Sequence, residues 1–216
     1  MMKLKFCGFT RKEDIEKVKQ LNVDAVGFIH YPNSKRHLPI TMINELMQPL
    51  PVTMEKVVVV VNPSRATIDA LATTTSMTTI QLHGDEPLET IQYIRAHYPY
   101  LGIIKALSAH NQEELQMRLN YYRNQVDEFI IDTPSQDYGG TGQTYDWEIL
   151  RGIHDVPFMI AGGLNYDHIQ TIKQMDLNHH GYDIASGIET EGRKDLDKMR
   201  RIIESVKGVT KYDKPI

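Results

Sequence analysis

Short aliphatic runs alternate with longer stretches of helical periodicity along the whole of this 216-residue chain. Each run has the length of one β-strand. The predicted strands are Leu4–Cys7, Ala25–Ile29, Lys56–Val61, Thr79–Leu82, Leu101–Ala106, Glu128–Asp132, Phe158–Ala161 and Tyr182–Ala185. The predicted helices are Glu13–Leu21, Ile40–Met47, Ala66–Thr74, Leu88–His97, Gln112–Tyr122, Trp147–Gly152, His168–Met175 and Leu196–Val206. This alternation predicts a parallel α/β sheet, and eight repeats are what a closed (β/α)₈ TIM barrel requires; a doubly wound open sheet is the alternative.

The domain organisation follows from the absence of any linker rich in Gly, Pro or Ser. We therefore predict a single barrel domain over residues 1–208. The last residues, 209–216, are short and polar and end in Lys-Pro-Ile, which predicts a flexible tail.

Charge and cysteine content limit the possible partners. The net charge is −4 with both signs dispersed, which gives no electrostatic reason to expect nucleic-acid or membrane binding. The only cysteine, Cys7, excludes an internal disulfide framework and fits a reducing compartment. The longest aliphatic run, Val57–Val61, is far too short to span a membrane, and the amino terminus lacks the apolar segment of a secretory signal. We expect a cytoplasmic protein, and a monomer because no exposed apolar stripe stands out.

The ends of the predicted strands are polar or rich in Gly. In barrels of this type the chemistry lies at the carboxyl ends of the strands. Side chains alternate faces along a strand, so Lys5 shares a face with Cys7, and Asp132 lies opposite to its neighbour Ile131. The same alternation puts Gln81 on one face with His83, Ile130 with Asp132, and Asp183 with Ala185. The polar set converges on the barrel mouth if the alternate apolar residues face the helices, namely Leu4, Phe6, Leu82, Phe129, Ile131 and Ile184.

Two of these mouth residues, Cys7 and Asp132, have side chains that can transfer protons. Each of them also fits a purely structural role. A free cysteine is usually a small buried hydrophobe, and an aspartate after a strand often caps backbone N–H groups. A thiolate opposite a carboxylic acid would instead make an acid–base pair.

The loops after the strands suggest ligand contacts. Gly162-Gly163 and Ser186-Gly187 follow strands 7 and 8, where barrels often bind phosphate, although they also fit ordinary turns. The basic loop Ser34–His37 is expected to lie over the mouth. Its Arg36 either is solvated at the surface or binds a carboxylate or phosphate. His83 is either structural or a ligand contact. Gly139–Gly142 forms a flexible loop or a turn, and no histidines have metal-ligand spacing.

These motifs together resemble the phosphoribosylanthranilate isomerase family. The matching segments span nearly the whole chain in order: Lys5–Gly8, Gly27-Phe28, Ser34–Arg36, Gln81–Gly84, Asp132 to Trp147, Ala161–Leu164 and Asp183–Glu189. The resemblance implies an Amadori rearrangement of N-(5-phosphoribosyl)anthranilate in tryptophan biosynthesis, without metal or cofactor. Its substrate would be a small phosphorylated molecule.

The resemblance also assigns roles to individual residues. Asp132 would be the general acid that opens the ribose ring, and Cys7 the general base that removes the C2 proton. That role requires a thiol pKa lowered from its usual value. Arg36 would hold the anthranilate carboxylate, with His83 and Asp183 as further substrate contacts. The phosphate would lie against the backbone of Gly162, Gly163, Ser186 and Gly187.

The chain departs from the family at two positions. Ala185 stands where the family often has a serine, which removes one possible hydroxyl from the phosphate site, and Asn62 stands where an aromatic residue is common. Two other functions compete. The barrel isomerase of histidine biosynthesis is expected to use two aspartates, which Cys7 disfavours. A non-catalytic phosphate-ligand binding protein would have no need of both Cys7 and Asp132.

Overall fold

A computed structural model of the protein describes residues 2–108, 111–132 and 147–208. Its first eight strands are parallel and form a closed barrel in sequence order, so the barrel prediction is confirmed and the open sheet is excluded. The barrel strands are β1 (Lys3–Cys7), β2 (Ala25–Ile29), β3 (Glu55–Val60), β4 (Thr79–Leu82), β5 (Gly102–Ser108), β6 (Glu128–Asp132), β7 (Phe158–Ala161) and β8 (Gly181–Ile184). The helices are α1 (Lys12–Val18), α2 (Ile40–Met47), α3 (Arg65–Thr74), α4 (Leu88–His97), α5 (Gln112–Tyr122), α6 (Tyr166–Lys173) and α7 (Leu196–Lys207).

Several observed bounds differ from the predicted ones by a few residues, and in α6 the cap explains the difference. Helix α6 begins at Tyr166 because Asn165 accepts a hydrogen bond from the backbone N–H of His168 at 2.9 Å. The segment predicted as a helix after β6 is a single 3₁₀ turn, Trp147–Leu150. The predicted loop at 139–142 and the predicted tail at 209–216 lie outside the described residues. No helix in the described part of the chain has the length and apolar character needed to cross a membrane.

Two apolar clusters lie on opposite faces of the barrel wall. The larger packs between strands and helices and contains every residue predicted to face the helices, such as Phe6 and Ile131. The smaller lies inside the barrel and is formed by Ala25, Val57, Ile104, Ala106, Ile130, Met159 and Ala161. The predicted alternation of faces is therefore confirmed, which places the polar strand residues inside the barrel.

A polar cluster closes the amino-terminal end of the barrel. The ammonium of Lys3 lies 2.7 Å from Glu55 and 2.8 Å from Glu128, and His180 contacts the second oxygen of Glu128. Burial acts to raise the pKa of the Glu128 carboxyl, but His180 and Lys3 together outweigh it and leave that pKa below 4.5. The charged form of Glu128 thus contributes to stability.

Replacing Glu128 with Gln should lower the free energy of unfolding by about 1–3 kcal/mol at neutral pH, because two donors lose their carboxylate. The folded pKa is depressed, so this contribution is complete above the unfolded value and is lost as the pH falls through the folded pKa. Denaturant titrations of both proteins from about pH 7 to about pH 3 measure the difference. Glu45→Gln, at an exposed ion pair with Lys12, serves as the control. A difference that does not change with pH would contradict this account.

Candidate active site

Cys7 lies at the carboxyl end of β1 with 6% of its surface exposed. Its neighbour across the β1–β2 pair is Gly27, and a Cβ at Gly27 would lie 2.5 Å from the Cys7 Sγ. The backbone N–H groups of Gly8 and Phe9 both donate to the carbonyl oxygen of Gly27. The absence of a side chain at Gly27 thus leaves room for the Cys7 thiol, and the Gly27 carbonyl oxygen holds the turn that follows Cys7.

The charges around Cys7 act on its pKa in opposite directions. Burial raises the pKa of the thiol above 9.0, and Asp183 raises it further, while the ammonium groups of Lys5 and Lys194 lower it. The net direction is upward, which is opposite to the one the sequence led us to expect, because enclosure by the barrel outweighs both cations. The resting group is therefore the thiol, and the two lysines stabilise the thiolate.

Lys5 and Asp183 form an ion pair inside the barrel below Cys7. The Lys5 Nζ and the Asp183 Oδ2 are 2.8 Å apart, and their side chains are 0% and 9% exposed. Burial acts to lower the pKa of Lys5, but Asp183 and Cys7 together outweigh it and raise that pKa. Asp183 Oδ1 is buried without a hydrogen-bond partner among the described residues, so it remains available to accept one from a ligand.

Asp132 and His83 meet at the mouth, at the ends of β6 and β4. The His83 Nε2 lies 3.2 Å from the Asp132 Oδ2, and about a third of each side chain is exposed. Gln81 lies on the same face of β4, and its Nε2 lies 3.5 Å from the His83 Nδ1. The predicted general acid therefore has a polar side chain beside it and is accessible from the mouth.

Arg36 lies in the loop after β2 and is paired with a carboxylate. Its Nε and Nη2 donate to the two oxygens of Glu189 at 2.9 and 2.6 Å. Glu189 also accepts from the buried ammonium of Lys194 at 2.7 Å. Lys194 lies in a polar segment without periodicity, so no pattern in the sequence predicts its role. Glu189 is the last residue of the motif that begins at Asp183, and the resemblance assigns it no role.

The two loops predicted to bind phosphate lie against each other. Gly162 and Gly163 follow β7 with φ angles of +91° and +58°, a backbone that favours glycine. Ser186–Ile188 forms a 3₁₀ turn after β8, and a Cβ at Gly187 would overlap the carbonyl oxygen of Leu164. A cavity of about 410 Å³ lies here, lined by Gly163, Asn165, Tyr166, Asp167, Ser186, Gly187, Lys198, Arg201 and Ile202. The cations Lys198 and Arg201 were not predicted; a helix face alone does not show that it borders a loop.

The two departures from the family pattern have clear structural positions. Asn62 has a φ of +46°, and its side chain accepts from the backbone N–H of Asp85 at 2.9 Å, so it holds the loop after β4. Ala185 lies just after β8, before the 3₁₀ turn. Within the described ranges, no group of three or more His, Cys, Asp or Glu side chains is arranged to hold a metal ion.

A closed barrel with a thiol, a carboxyl group and a glycine-lined cavity at its carboxyl-terminal end has the architecture of a barrel enzyme. The family model for N-(5′-phosphoribosyl)anthranilate isomerase matches residues 4–205. A relative of that name from Staphylococcus aureus (strain Mu3) is 53% identical over 207 residues, which is 96% of this chain and 98% of the relative. The chain belongs to the N-(5′-phosphoribosyl)anthranilate isomerase family.

Solved structures agree with this assignment. The phosphoribosylanthranilate isomerase of Thermotoga maritima is 31% identical, with a TM-score of 0.83 over 97% of this chain and 100% of that one. A second structure of such an isomerase is 28% identical, with a TM-score of 0.80 over the same shares. That protein is in complex with reduced 1-(o-carboxyphenylamino)-1-deoxyribulose 5-phosphate.

Replacing Gly27 with Ala should reduce kcat by about 100-fold, because the new methyl group displaces the Cys7 Sγ and small misplacements of reacting groups carry losses of this size. Steady-state kinetics and thermal unfolding of the purified variant measure the two effects separately. Gly152→Ala is the matched control, since the added methyl group meets only the flexible end of Gln112. Unchanged kcat in a folded Gly27→Ala variant would show that the position of the thiol is not critical.

Proposed function

We propose that the barrel mouth carries out the Amadori rearrangement of N-(5-phosphoribosyl)anthranilate to 1-(2-carboxyphenylamino)-1-deoxy-D-ribulose 5-phosphate in tryptophan biosynthesis. The observation that carries this proposal is the placement of Cys7 and Asp132 at the carboxyl ends of β1 and β6, on the inner face of one barrel. The ligand bound by the related isomerase is a reduced form of the same kind of product.

Ring opening is the step assigned to Asp132. Its carboxylic acid donates a proton to the ribose ring oxygen, the bond between that oxygen and C1 breaks, and the nitrogen lone pair forms the C1–N double bond of a Schiff base. His83, 3.2 Å away, restricts the orientation of the carboxyl group. The exposure of Asp132 to the mouth lets it reach the sugar.

Proton abstraction is the step assigned to Cys7. The resting thiol first gives up its proton to water. The thiolate then accepts the proton from C2, the electron pair of that C–H bond forms the C1–C2 double bond, and the C1–N π electrons return to the nitrogen as a lone pair. The resulting enolamine tautomerises to the ketone. Lys5 supports the thiolate electrostatically from within the barrel, because its ammonium is one of the groups that lower the Cys7 pKa.

The remaining mouth residues hold the substrate. Arg36 binds the anthranilate carboxylate, since a guanidinium matches a carboxylate with two parallel hydrogen bonds. Asp183 accepts from a sugar hydroxyl through its unpartnered Oδ1, and His83 adds a polar contact. The backbone N–H groups of the two loops containing Gly162, Gly163, Ser186 and Gly187 bind the phosphate.

The activity is tested by generating phosphoribosylanthranilate in situ and following the loss of its fluorescence. We expect conversion by the wild type, and a loss of about 10²- to 10⁴-fold in kcat for Cys7→Ala and for Asp132→Asn, because each variant lacks one proton transfer. Thermal unfolding shows whether the variants remain folded. No conversion by folded wild type would reject the reaction, while activity that survives in Cys7→Ala would reject the base alone.

We also propose that the protein is a cytoplasmic monomer. The large apolar side chains exposed in the described residues are separated around the barrel: Met42 and Val52 lie in and after α2, while Tyr100, Met117 and Tyr121 lie near β5 and in α5. Light scattering at micromolar concentration should give the mass of one 24.8 kDa chain. A mass of two chains would contradict the monomer without affecting the assigned chemistry.

A further inference from the structure

A short hairpin follows the last barrel strand and reaches back to the first. Its strands are β9 (Glu189–Thr190) and β10 (Arg193–Lys194), which pair antiparallel. The backbone of Lys194 also contacts α1, since its carbonyl oxygen accepts from the Lys17 Nζ at 2.6 Å. The hairpin is therefore fixed to the barrel on both sides of the mouth.

The side chain of Lys194 points into this junction, with 2% of its surface exposed. Its ammonium donates to the carbonyl oxygen of Cys7 at 2.6 Å, to that of Ala185 at 3.0 Å and to Glu189 Oε1 at 2.7 Å. An ammonium has three donors, and all three are used. One buried group thus joins the end of β1, the start of the loop after β8 and the hairpin.

Glu189 uses both oxygens to hold Arg36 by one edge. The Nε and Nη2 of Arg36 face the carboxylate, which leaves Nη1 without a hydrogen-bond partner in the part of the chain that the structure describes. The stem of Arg36 lies on Gly8, where a Cβ would be 2.5 Å from the Arg36 Cδ. The guanidinium is consequently fixed in position while a second edge stays available to a ligand.

The charge balance of this cluster suits an anion. A lone Arg36–Glu189 pair would be neutral and would bind a carboxylate poorly. Lys194 offsets the charge of Glu189, so the cluster of Arg36, Glu189 and Lys194 keeps one net positive charge. Because Lys194 is the most buried of the three, that net charge lies closest to solvent at Arg36, whose side chain is 32% exposed.

We propose that Glu189 is a positioning residue that determines specificity for the carboxylate of the substrate's aromatic ring, by fixing the guanidinium of Arg36, with Lys194 as the counterion that keeps the cluster cationic. This proposal rests on the role assigned to Arg36 under the proposed function. Glu189 acts through Arg36 and does not contact the reacting atoms.

The test compares two substrates that differ only in the carboxylate. Ribose 5-phosphate condenses with anthranilate or with aniline, which gives N-(5-phosphoribosyl)anthranilate and N-(5-phosphoribosyl)aniline. The kcat and KM for each are measured by chromatography of the products. The proteins are the wild type, Glu189→Gln, Arg36→Met and the double variant.

We expect Glu189→Gln to raise KM for the anthranilate substrate by about 10- to 100-fold, the range for loss of charge-assisted hydrogen bonds, with a smaller change in kcat. The aniline substrate should be converted by Glu189→Gln within about twofold of the wild type, since it has no carboxylate to position. For the anthranilate substrate, the loss of kcat/KM in the double variant should equal that of Arg36→Met alone, because both substitutions remove the same interaction with the carboxylate. Glu45→Gln is the matched control, since it makes the same substitution in an exposed ion pair with Lys12, outside the residues assigned to the site, and should leave the discrimination between the two substrates unchanged.

Equal losses for both substrates in Glu189→Gln would overturn the proposal and make Glu189 a structural residue. Discrimination between the two substrates is the ratio of their kcat/KM values. If Glu189→Gln discriminates as well as the wild type while Arg36→Met does not, the proposal is also overturned, but the role of Arg36 stands. Discrimination that survives in Arg36→Met would instead reject the role assigned to Arg36. If Glu189→Gln does not fold, Glu189→Asp keeps the charge but shortens the reach, and it should lower discrimination without affecting the aniline substrate.

Discussion

Strand β8 pairs with β1 from Lys3 to Phe6, so the sheet has no free edge and its inner face is enclosed on all sides. The spatial arrangement of the polar side chains inside the barrel depends on this closure. Because residues alternate strictly along each strand, closure places every second side chain of β1 and β8 in the same interior. Lys5 and Asp183, which are 178 positions apart, come within 2.8 Å only through that closure.

Three buried cations lie in and around the barrel wall. Lys5, Lys105 and Lys194 are each at most 2% exposed, and each is bonded to a carboxylate. A buried charge is tolerated only when it is paired and its donors are satisfied. Lys105, for example, has Glu86 and the carbonyl oxygens of Leu82, Gly84 and Ala106 within hydrogen-bonding distance, four acceptors that share its three donors. The ammonium groups of Lys105 and Lys194 therefore join strand ends to the loops around the mouth.

Much of the site was recognisable from where polar residues stand in the sequence. The endings of β1, β4 and β6 placed Cys7, His83 and Asp132 at the mouth, because two-residue periodicity determines the face of a strand. The partner of Arg36 was not recognisable in the same way. Glu189 lies 153 positions from Arg36, and no periodic pattern connects a loop residue to a hairpin across the barrel.

Sequence alone was enough to predict the eight barrel strands and their order, the inner and outer faces of those strands and the family, since all of these are encoded by local periodicity and contiguous motifs. It did not predict the hairpin of β9 and β10, whose strands are too short to show a period. The tertiary structure alone decided the electrostatic environment of each group. The pKa of Cys7 rises because the closed barrel removes it from water, and Arg36 is held by Glu189 because the hairpin folds back on the mouth. Such effects depend on distances and burial, which arise only when segments far apart in the chain are packed together.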